Sequence, residues 1–279
     1  MGMNYIIQCC LNNFRRWFSS PKVYITYIFF VLIFCSQMTA MRRICIDTGV
    51  PVTPWLLPFL FTGNDFLALM LWLNVCFFMS NAPFENDQKV FLISRSGRRN
   101  WCLGQMLYII TSSLLLILSV WLIMLIYVFP HIRFELSWGK VLNTLAQTDL
   151  LENYRTLSIR YDVLLDNEPL SAFLWSLLLS WLICIFMGML SFFLNILIHR
   201  YAGVCVCVIL SFAPYFMETL QSYTLQSISF LIPTSWADLG SMKTFALGQY
   251  PSRTMAVTLL LILIVILGIA SVRISYRKG

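Results

Sequence analysis

Charged residues are scarce in this chain, since only 11% of its 279 residues are Asp, Glu, Lys or Arg. Soluble domains carry about a quarter of such residues, so a soluble globular fold is excluded. The counterpart of this scarcity is a hydrophobic content of 59% and a mean hydropathy of +0.78. Together these values predict an integral membrane protein.

The chain also lacks the sequence patterns of several kinds of active site. It contains no H-E-x-x-H, G-x-S-x-G or G-x-x-x-x-G-K-[ST] sequence, which excludes the common metalloprotease, serine hydrolase and nucleotide-hydrolase motifs. Its two histidines stand far apart, at positions 131 and 199, and its nine cysteines include no C-x-x-C pair. We therefore expect no catalytic residue, no metal and no cofactor in this chain.

The net charge of +7 does not indicate nucleic acid as a partner. The basic residues stand at the ends of apolar runs, where Lys and Arg set membrane topology and contact lipid headgroups. We expect contacts with membrane lipids and none with nucleic acid.

Long apolar runs are what the sequence has in abundance. Six of them are long enough, or nearly so, to cross about 30 Å of hydrocarbon at about 1.5 Å per residue. They are residues 23–41, 55–80, 101–129, 170–198, 201–217 and 254–272. The predicted fold is an all-α membrane protein in which residues 1–279 form one domain with six transmembrane helices. The fifth run contains Pro214 and is predicted to be a broken helix.

Three flanking segments have their own patterns. Within residues 1–22, apolar and polar side chains alternate with helical spacing, which predicts an amphipathic helix in the membrane interface. In the 130–169 loop, SWGKVLNTLAQ has helical character and TLSIRYDVL alternates like a strand, so a small ordered extracellular element is expected. The 218–253 loop contains an apolar patch too short to span, which predicts an extracellular re-entrant segment with Trp236 at headgroup level.

The distribution of Lys and Arg predicts the orientation of the chain. With the N-terminus in the cytoplasm, the inside segments hold 11 basic residues in 51 positions and the outside segments hold 8 in 89. The positive-inside rule favours this arrangement, with both termini cytoplasmic in a multi-pass protein of the cell membrane.

Charged residues are unusually dense in residues 81–105. This stretch separates two apolar runs, and its charged residues fall within fifteen positions: Glu85, Asp87, Lys89, Arg95, Arg98 and Arg99. Alternating acidic and basic residues on a loop suit docking against a soluble protein surface. The alternative is an ordinary positive-inside loop with Trp101 as an interfacial anchor.

Asp65 lies inside the second apolar run, and a carboxylate within a membrane span indicates a functional site by default. Asp65 and the polar Asn74 are candidates for a substrate path. Alternatively, the helix begins near Phe66 and Asp65 caps its N-terminus, where a negative charge favours the helix dipole. Asn74 could likewise only bridge neighbouring helices.

Two short motifs resemble those of a known family. The sequence FLISRSGRRNWCLGQMLYII is similar to the R-S-x-R-x-x-W-x-x-G-K/Q pattern between spans two and three of type 2 ATP-binding-cassette exporter permeases. The sequence FLIPTSWADL is similar to the S-P-x-x-W-x-x-L pattern that they carry before the last span. The order of interfacial helix, six spans and intervening loops also resembles that family.

The resemblance implies a permease subunit of an ATP-driven exporter. Residues 81–100 would then form the cytoplasmic coupling loop, and Glu85, Asp87, Lys89, Arg95, Arg98 and Arg99 would face the motor. The implied partners are cytoplasmic ATPase subunits, which bind ATP and Mg themselves, and a second permease, identical or a paralogue. The implied cargo is a drug, a lipid-like molecule or a peptide such as an antimicrobial peptide, exported across a bacterial cell membrane.

Two other readings compete with the exporter. A secondary transporter predicts paired carboxylates within spans or inverted repeats, and the sequence offers only Asp65. A membrane-embedded peptide sensor or immunity protein would capture its ligand with the outer loops.

Overall fold

The computed structural model describes residues 2–62, 65–82, 84, 93–94, 96–148, 157–199, 201–219, 231–240, 242 and 251–277. Helices account for the regular structure of these residues, apart from one parallel bridge between Val52 and Ile132. In chain order the α-helices are α1 (Gly2–Arg15), α2 (Pro21–Thr48), α3 (Asp65–Met79), α4 (Arg98–Val128), α5 (Gly139–Gln147), α6 (Tyr161–Asp166), α7 (Pro169–Leu197), α8 (Ala202–Thr219) and α9 (Arg253–Arg277).

Four of the described helices are long and apolar enough to cross a membrane. They are α2, α4, α7 and the Arg253–Ser275 part of α9. The apolar helix α3 and the Ala202–Met217 part of α8 are shorter. The prediction of an all-α membrane protein is confirmed at this level, with four spanning helices where the hydropathy pattern predicted six.

Local sequence explains where α2 begins and ends. Ser20 precedes Pro21 at the first helical position, where proline's missing N–H leaves no hydrogen bond unmade. At the other end Gly49 adopts a left-handed φ of 67° and donates its N–H to the Cys45 carbonyl. The helix therefore runs seven residues beyond the predicted end at position 41, and Arg42 lies over the Tyr127 ring, 5.1 Å from its centre.

The bundle is arranged around α7. This helix contacts α3, α4, α8 and α9, and most of its residues are buried, including small serines that admit close neighbours. By contrast α9 exposes Ile262, Val265 and Ile269, as expected of a helix facing lipid. A single apolar core extends through the described helices.

One end of the bundle, here called the cap end, carries the loops that follow α2 and α4. Val52 N–H donates to the His131 carbonyl and Arg133 N–H donates to the Val52 carbonyl, both at 2.9 Å. Trp138 is buried and donates its indole N–H to the Asn167 carbonyl. The loop between α4 and α7 is therefore packed onto the bundle in its described parts.

One of the two elements predicted in the 130–169 loop forms as expected and the other differs. Helix α5 forms as predicted, but Tyr161–Asp166 is helical where alternation predicted a strand. The alternation reflects burial of Leu157, Ile159, Val163 and Leu164 against the core, which a short helix with preceding extended residues also achieves. The apolar pattern alone does not distinguish the two.

The region after α8 also differs from expectation. Helix α8 continues through Pro214 as far as Thr219, so the predicted break does not occur there. The described part of the 218–253 segment includes a 3-10 helix, Pro233–Ala237, in which Trp236 is buried in the protein core and does not expose its ring to lipid. Thr234 Oγ1 donates to the Leu210 carbonyl at 2.8 Å, which ties this turn to α8. The remainder of the predicted re-entrant segment lies outside the described residues.

Candidate functional site

The candidate site is the opposite end of the bundle, here called the α1 end, where residues 81–100 connect α3 to α4. Of the predicted docking residues, Glu85, Asp87, Lys89 and Arg95 lie outside the described residues. Arg98 and Arg99 are described, and they form the first turn of α4 and do not belong to a loop. The structure describes residues 80–82 at the beginning of this segment and residues 96–100 at its end.

Lys22 fixes the point where the 81–100 segment begins. From the start of α2 its ammonium donates to Ser80 Oγ at 2.6 Å and to Asn81 Oδ1 at 2.7 Å, and it lies over the Phe77 ring. An ammonium with two oxygen partners and an aromatic face is held in one place. The elbow between α1 and α2 is thereby joined to the end of α3.

Asn195 connects the same segment to the turn between α7 and α8. Its side-chain amide is buried, donates to the Ala82 carbonyl at 2.7 Å and accepts the Gly203 N–H at 2.8 Å. One side chain thus satisfies two backbone groups from two different segments. Helices α7 and α8 are very close at this point, because Gly203 packs directly on the backbone of Ser191.

The segment ends at Gly97, whose φ of 78° favours glycine over any residue with a side chain. Gly97 N–H donates to the Ile93 carbonyl, and Trp101 N–H donates to the Gly97 carbonyl. Arg98 reaches across to α9 and donates from Nη1 to the Ser275 carbonyl at 3.3 Å. Arg99 is exposed beside it.

Helix α1 packs against α4 through the W-x-x-G-Q residues. A side chain on Gly104 would meet the Cys9 Cβ at 2.5 Å and the Ile6 carbonyl oxygen at 3.0 Å, so glycine permits this close approach. Gln105 is buried and accepts a 2.7 Å hydrogen bond from Asn13. Trp101 is buried as well, so its ring packs within the bundle. The W-x-x-G-Q motif, on which the family resemblance depends, therefore forms the surface of α4 on which α1 packs.

Helix α1 turns the apolar Met3, Ile7 and Leu11 outward beside the polar Asn4 and Gln8, and the exposed Phe18 follows in the 3-10 helix Arg16–Ser19. Met3, Ile7 and Leu11 recur every fourth residue, which gives one continuous stripe. The side packed on the bundle includes the buried Cys9, Cys10 and Asn13 and the ring of Phe14, whose centre lies 5.0 Å from that of Tyr108. An outward apolar stripe suits a helix lying in the membrane interface.

Cys9 shows that this packed side is shielded from water. Burial raises the pKa of its thiol, and a hydrogen bond with Ser96 acts in the opposite direction. A raised pKa keeps the thiol protonated at neutral pH and unreactive as a nucleophile. Contact between Cys9 and Ser96 also places α1 beside the end of the 81–100 segment.

A polar cavity of about 280 Å³ lies where the elbow between α1 and α2 meets the beginning of the 81–100 segment. Its lining includes Arg16, Lys22 and Asn81 together with the rings of Phe84 and Tyr108. The two rings meet edge to face, 4.7 Å apart. The cavity lies directly beside Lys22.

The two candidates for a substrate path are not brought together. Asp65 is the first residue of α3, in agreement with a helix that begins near Phe66, and it lies at the cap end. Asn74 is buried nine residues further along and donates to the Thr26 carbonyl of α2 at 3.0 Å. Nine residues of helix separate the two by about 13 Å. Asn74 thus bridges α2 and α3.

Sequence reasoning missed Lys22 and Asn195 as anchors of the 81–100 segment. A signal existed for Asn195, since it is an amide inside an apolar run four residues before the basic end of that run. Lys22 has no such signal, because a lysine at the start of a span is ordinary. Among the residues that the structure describes, no cluster of His, Cys, Asp or Glu could hold a metal ion.

No known protein family, no curated protein and no solved structure matches this chain.

Proposed function

We propose that this protein is the permease subunit of an ATP-driven exporter whose ATPase subunits are separate chains. The observation that carries the proposal is the way the 81–100 segment is held at both ends. Lys22 and Asn195 bind its first residues, and Arg98 at its last residues reaches α9. A force on this segment is therefore passed to α2, α7, α8 and α9 together.

Such a connection suits a protein driven by a motor outside the membrane. Closure of two ATPase subunits on ATP would push on the 81–100 segment, and the attached helices would move as a set between two packed arrangements. The ATPase subunits would bind ATP and Mg, and this chain would supply the contact surface. Glu85, Asp87, Lys89, Arg95 and Arg99 are the proposed contacts, whereas Arg98 already binds Ser275.

The proposal includes six membrane crossings. Helix α3 is about 22 Å long, shorter than the hydrocarbon core, but the preceding residues 55–62 are mostly buried and extend its path toward the cap end. Helix α8 reaches about 27 Å. Six crossings would place both termini on the same face, in the cytoplasm, with the cap outside and facing the exported drug, peptide or lipid-like molecule.

The exporter is preferred over a secondary transporter because of what the spans contain. Among the described residues, the acidic positions in the long apolar helices stand at the helix ends: Asp47 in α2, Asp65 in α3 and Glu218 in α8. Ion-coupled transport needs such groups near the middle of the membrane. A second permease, identical or related, would complete the path around Asp65.

Charge reversal within the 81–100 segment tests the docking surface. A permease variant that carries Glu85→Lys, Asp87→Lys, Lys89→Glu and Arg95→Glu is co-expressed with any ATPase that an adjacent reading frame is found to encode. We expect at least a ten-fold loss of co-purified ATPase, because several complementary charge pairs would become repulsive, each worth about 0.5 kcal/mol or more. The measurement is the ratio of the two subunits after affinity purification of the permease.

The matched control reverses charge at the cap end with Arg133→Glu and Lys140→Glu, both exposed. These changes should leave the subunit ratio unchanged. Equal ATPase recovery with the four-residue variant would remove the docking role, and failure of any ATPase to co-purify with the unaltered permease would reject the exporter itself.

Cysteine labelling tests the orientation. In a chain with Cys35 and Cys205 replaced by alanine, the remaining native cysteines are buried. We expect a membrane-impermeant maleimide to label Lys140→Cys in intact cells and to label Ser94→Cys only after the membrane is opened, since both positions are exposed but lie at opposite ends of the bundle. The reverse pattern would invert the topology and place the 81–100 segment outside.

A further inference from the structure

A groove of about 530 Å³ runs between α4 and α9 on the outside of the bundle, at the α1 end. Leu103 and Met106 form its wall on the α4 side, and Val265 and Ile269 form its wall on the α9 side. Gly268 contributes no side chain, which deepens the groove between these walls. Nearly all of the surface offered here is apolar.

Two arginines stand at one end of this groove, Arg99 from α4 and Arg273 from α9. They come together because Arg98 donates to the Ser275 carbonyl, which joins the first turn of α4 to the last turns of α9. Both arginine side chains are exposed, and none of the described residues lining the groove is acidic. The groove therefore has an uncompensated positive end and an apolar body.

The dimensions match one leaflet of a bilayer. From Val265 to Arg273 the helix rises about 12 Å, compared with about 15 Å for half of the hydrocarbon core. The arginines would then lie at the headgroup level, and the apolar walls would extend toward the middle of the membrane. Arginine at the membrane surface attracts anionic headgroups, and its planar guanidinium donates paired hydrogen bonds to phosphate oxygens.

We propose that this groove is a binding site for an anionic phospholipid. One acyl chain lies between α4 and α9, against Leu103, Met106, Val265 and Ile269, and the phosphate is bound by Arg99 and Arg273. This site shares Arg99 with the proposed docking surface, but it does not require an ATPase, because it needs only a membrane and the contact between Arg98 and Ser275.

A second copy of the chain is a poorer occupant than a lipid. Copies in a membrane pair about an axis along the membrane normal, which brings identical ends of the same helices together. Pairing through this groove would set Arg99 and Arg273 of one copy near the same arginines of the other. Like charges near a low-dielectric surface repel, whereas a phosphate neutralises them.

Native mass spectrometry of the detergent-purified full-length chain tests the headgroup half of the proposal. The protein is mixed with equal amounts of phosphatidylglycerol and phosphatidylcholine, and the bound lipids are counted. Arg99→Gln with Arg273→Gln should reduce bound phosphatidylglycerol roughly ten-fold or more and remove the preference over phosphatidylcholine. The matched control, Arg15→Gln with Arg43→Gln, removes two other exposed arginines and should retain the preference.

A tryptophan in the groove tests the acyl-chain half. Ile269→Trp should reduce binding of both lipids at this site, since the indole occupies the chain's position. Ile262→Trp lies two turns earlier on α9, with the same exposure of about half its side chain, and should have no effect. The proposal would be overturned if Arg99→Gln with Arg273→Gln, or Ile269→Trp, bound as much phosphatidylglycerol as the unaltered protein. Efficient cross-linking of two copies through Val265→Cys would also overturn it.

Discussion

Replacing Gly203 with alanine is expected to destabilise the protein by about 3 kcal/mol. A Cβ at this position would lie 2.8 Å from the Ser191 carbonyl carbon and closer still to the Ser191 Cα and oxygen. These are backbone atoms of α7, so they cannot rotate away as the end of a side chain could. Helices α7 and α8 must then separate, and the hydrogen bond from Gly203 N–H to Asn195 is strained or lost. The measurement is the midpoint of thermal unfolding in detergent.

Gly268→Ala is the matched control, because it makes the same chemical change in another apolar helix. There the nearest atom to an added Cβ is the Met189 Cε at 3.4 Å, an ordinary contact with the end of a flexible side chain. Its unfolding midpoint should stay close to that of the unaltered protein. Equal midpoints for Gly203→Ala and Gly268→Ala would show that α7 and α8 do not approach as described.

Replacing Asn195 with leucine is expected to release the beginning of the 81–100 segment from the bundle. The change leaves the Ala82 carbonyl and the Gly203 N–H buried without their partner, at about 1–3 kcal/mol for each group. Stability should fall by about 2–5 kcal/mol. In addition, trypsin should cleave after Lys89 and Arg95 faster than in the unaltered protein, since local release precedes global unfolding.

Two further variants separate anchoring from general loss of a buried amide. Asn74→Leu removes the amide that bridges α2 and α3, so it should reduce stability without accelerating cleavage in the 81–100 segment. Asn195→Asp keeps the acceptor for Gly203 N–H but, when its carboxylate is ionised, has no proton to donate to the Ala82 carbonyl, so cleavage above the neutral range of pH should be faster than in the unaltered protein. If Asn74→Leu and Asn195→Leu accelerate cleavage equally, the side chain of Asn195 does not specifically anchor the 81–100 segment.

The docking proposal and the anchoring geometry are linked but distinct. Charge reversals within the 81–100 segment would act on the proposed docking surface, whereas Asn195→Leu would act on the connection of the segment to α7 and α8. If the protein is the proposed exporter, Asn195→Leu should therefore lower transport more than it lowers the amount of bound ATPase. The opposite order would place Asn195 in the docking surface.

Much of the candidate site was predictable as a location but not as a set of contacts. The density of charged residues at positions 81–105 identified the segment, and the W-x-x-G-Q residues marked the beginning of the helix that follows it. The docking role of Arg98 stays a prediction, but the sequence did not predict that its guanidinium binds the Ser275 carbonyl, 177 positions away in the chain. The residues around Arg98 in the sequence do not indicate a hydrogen-bond partner so far away in the chain.

The sequence by itself determined that this is an α-helical membrane protein and where most of its long helices run. Hydropathy acts on each segment separately, and Pro21, Gly49 and Pro169 begin or end helices through their own backbone geometry. Only the tertiary structure decided that Gln105 pairs with Asn13 across 92 positions and that Asn195 holds Ala82 across 113. A buried amide must find a partner, but which partner it finds depends on how the helices pack, and that packing brings distant residues together.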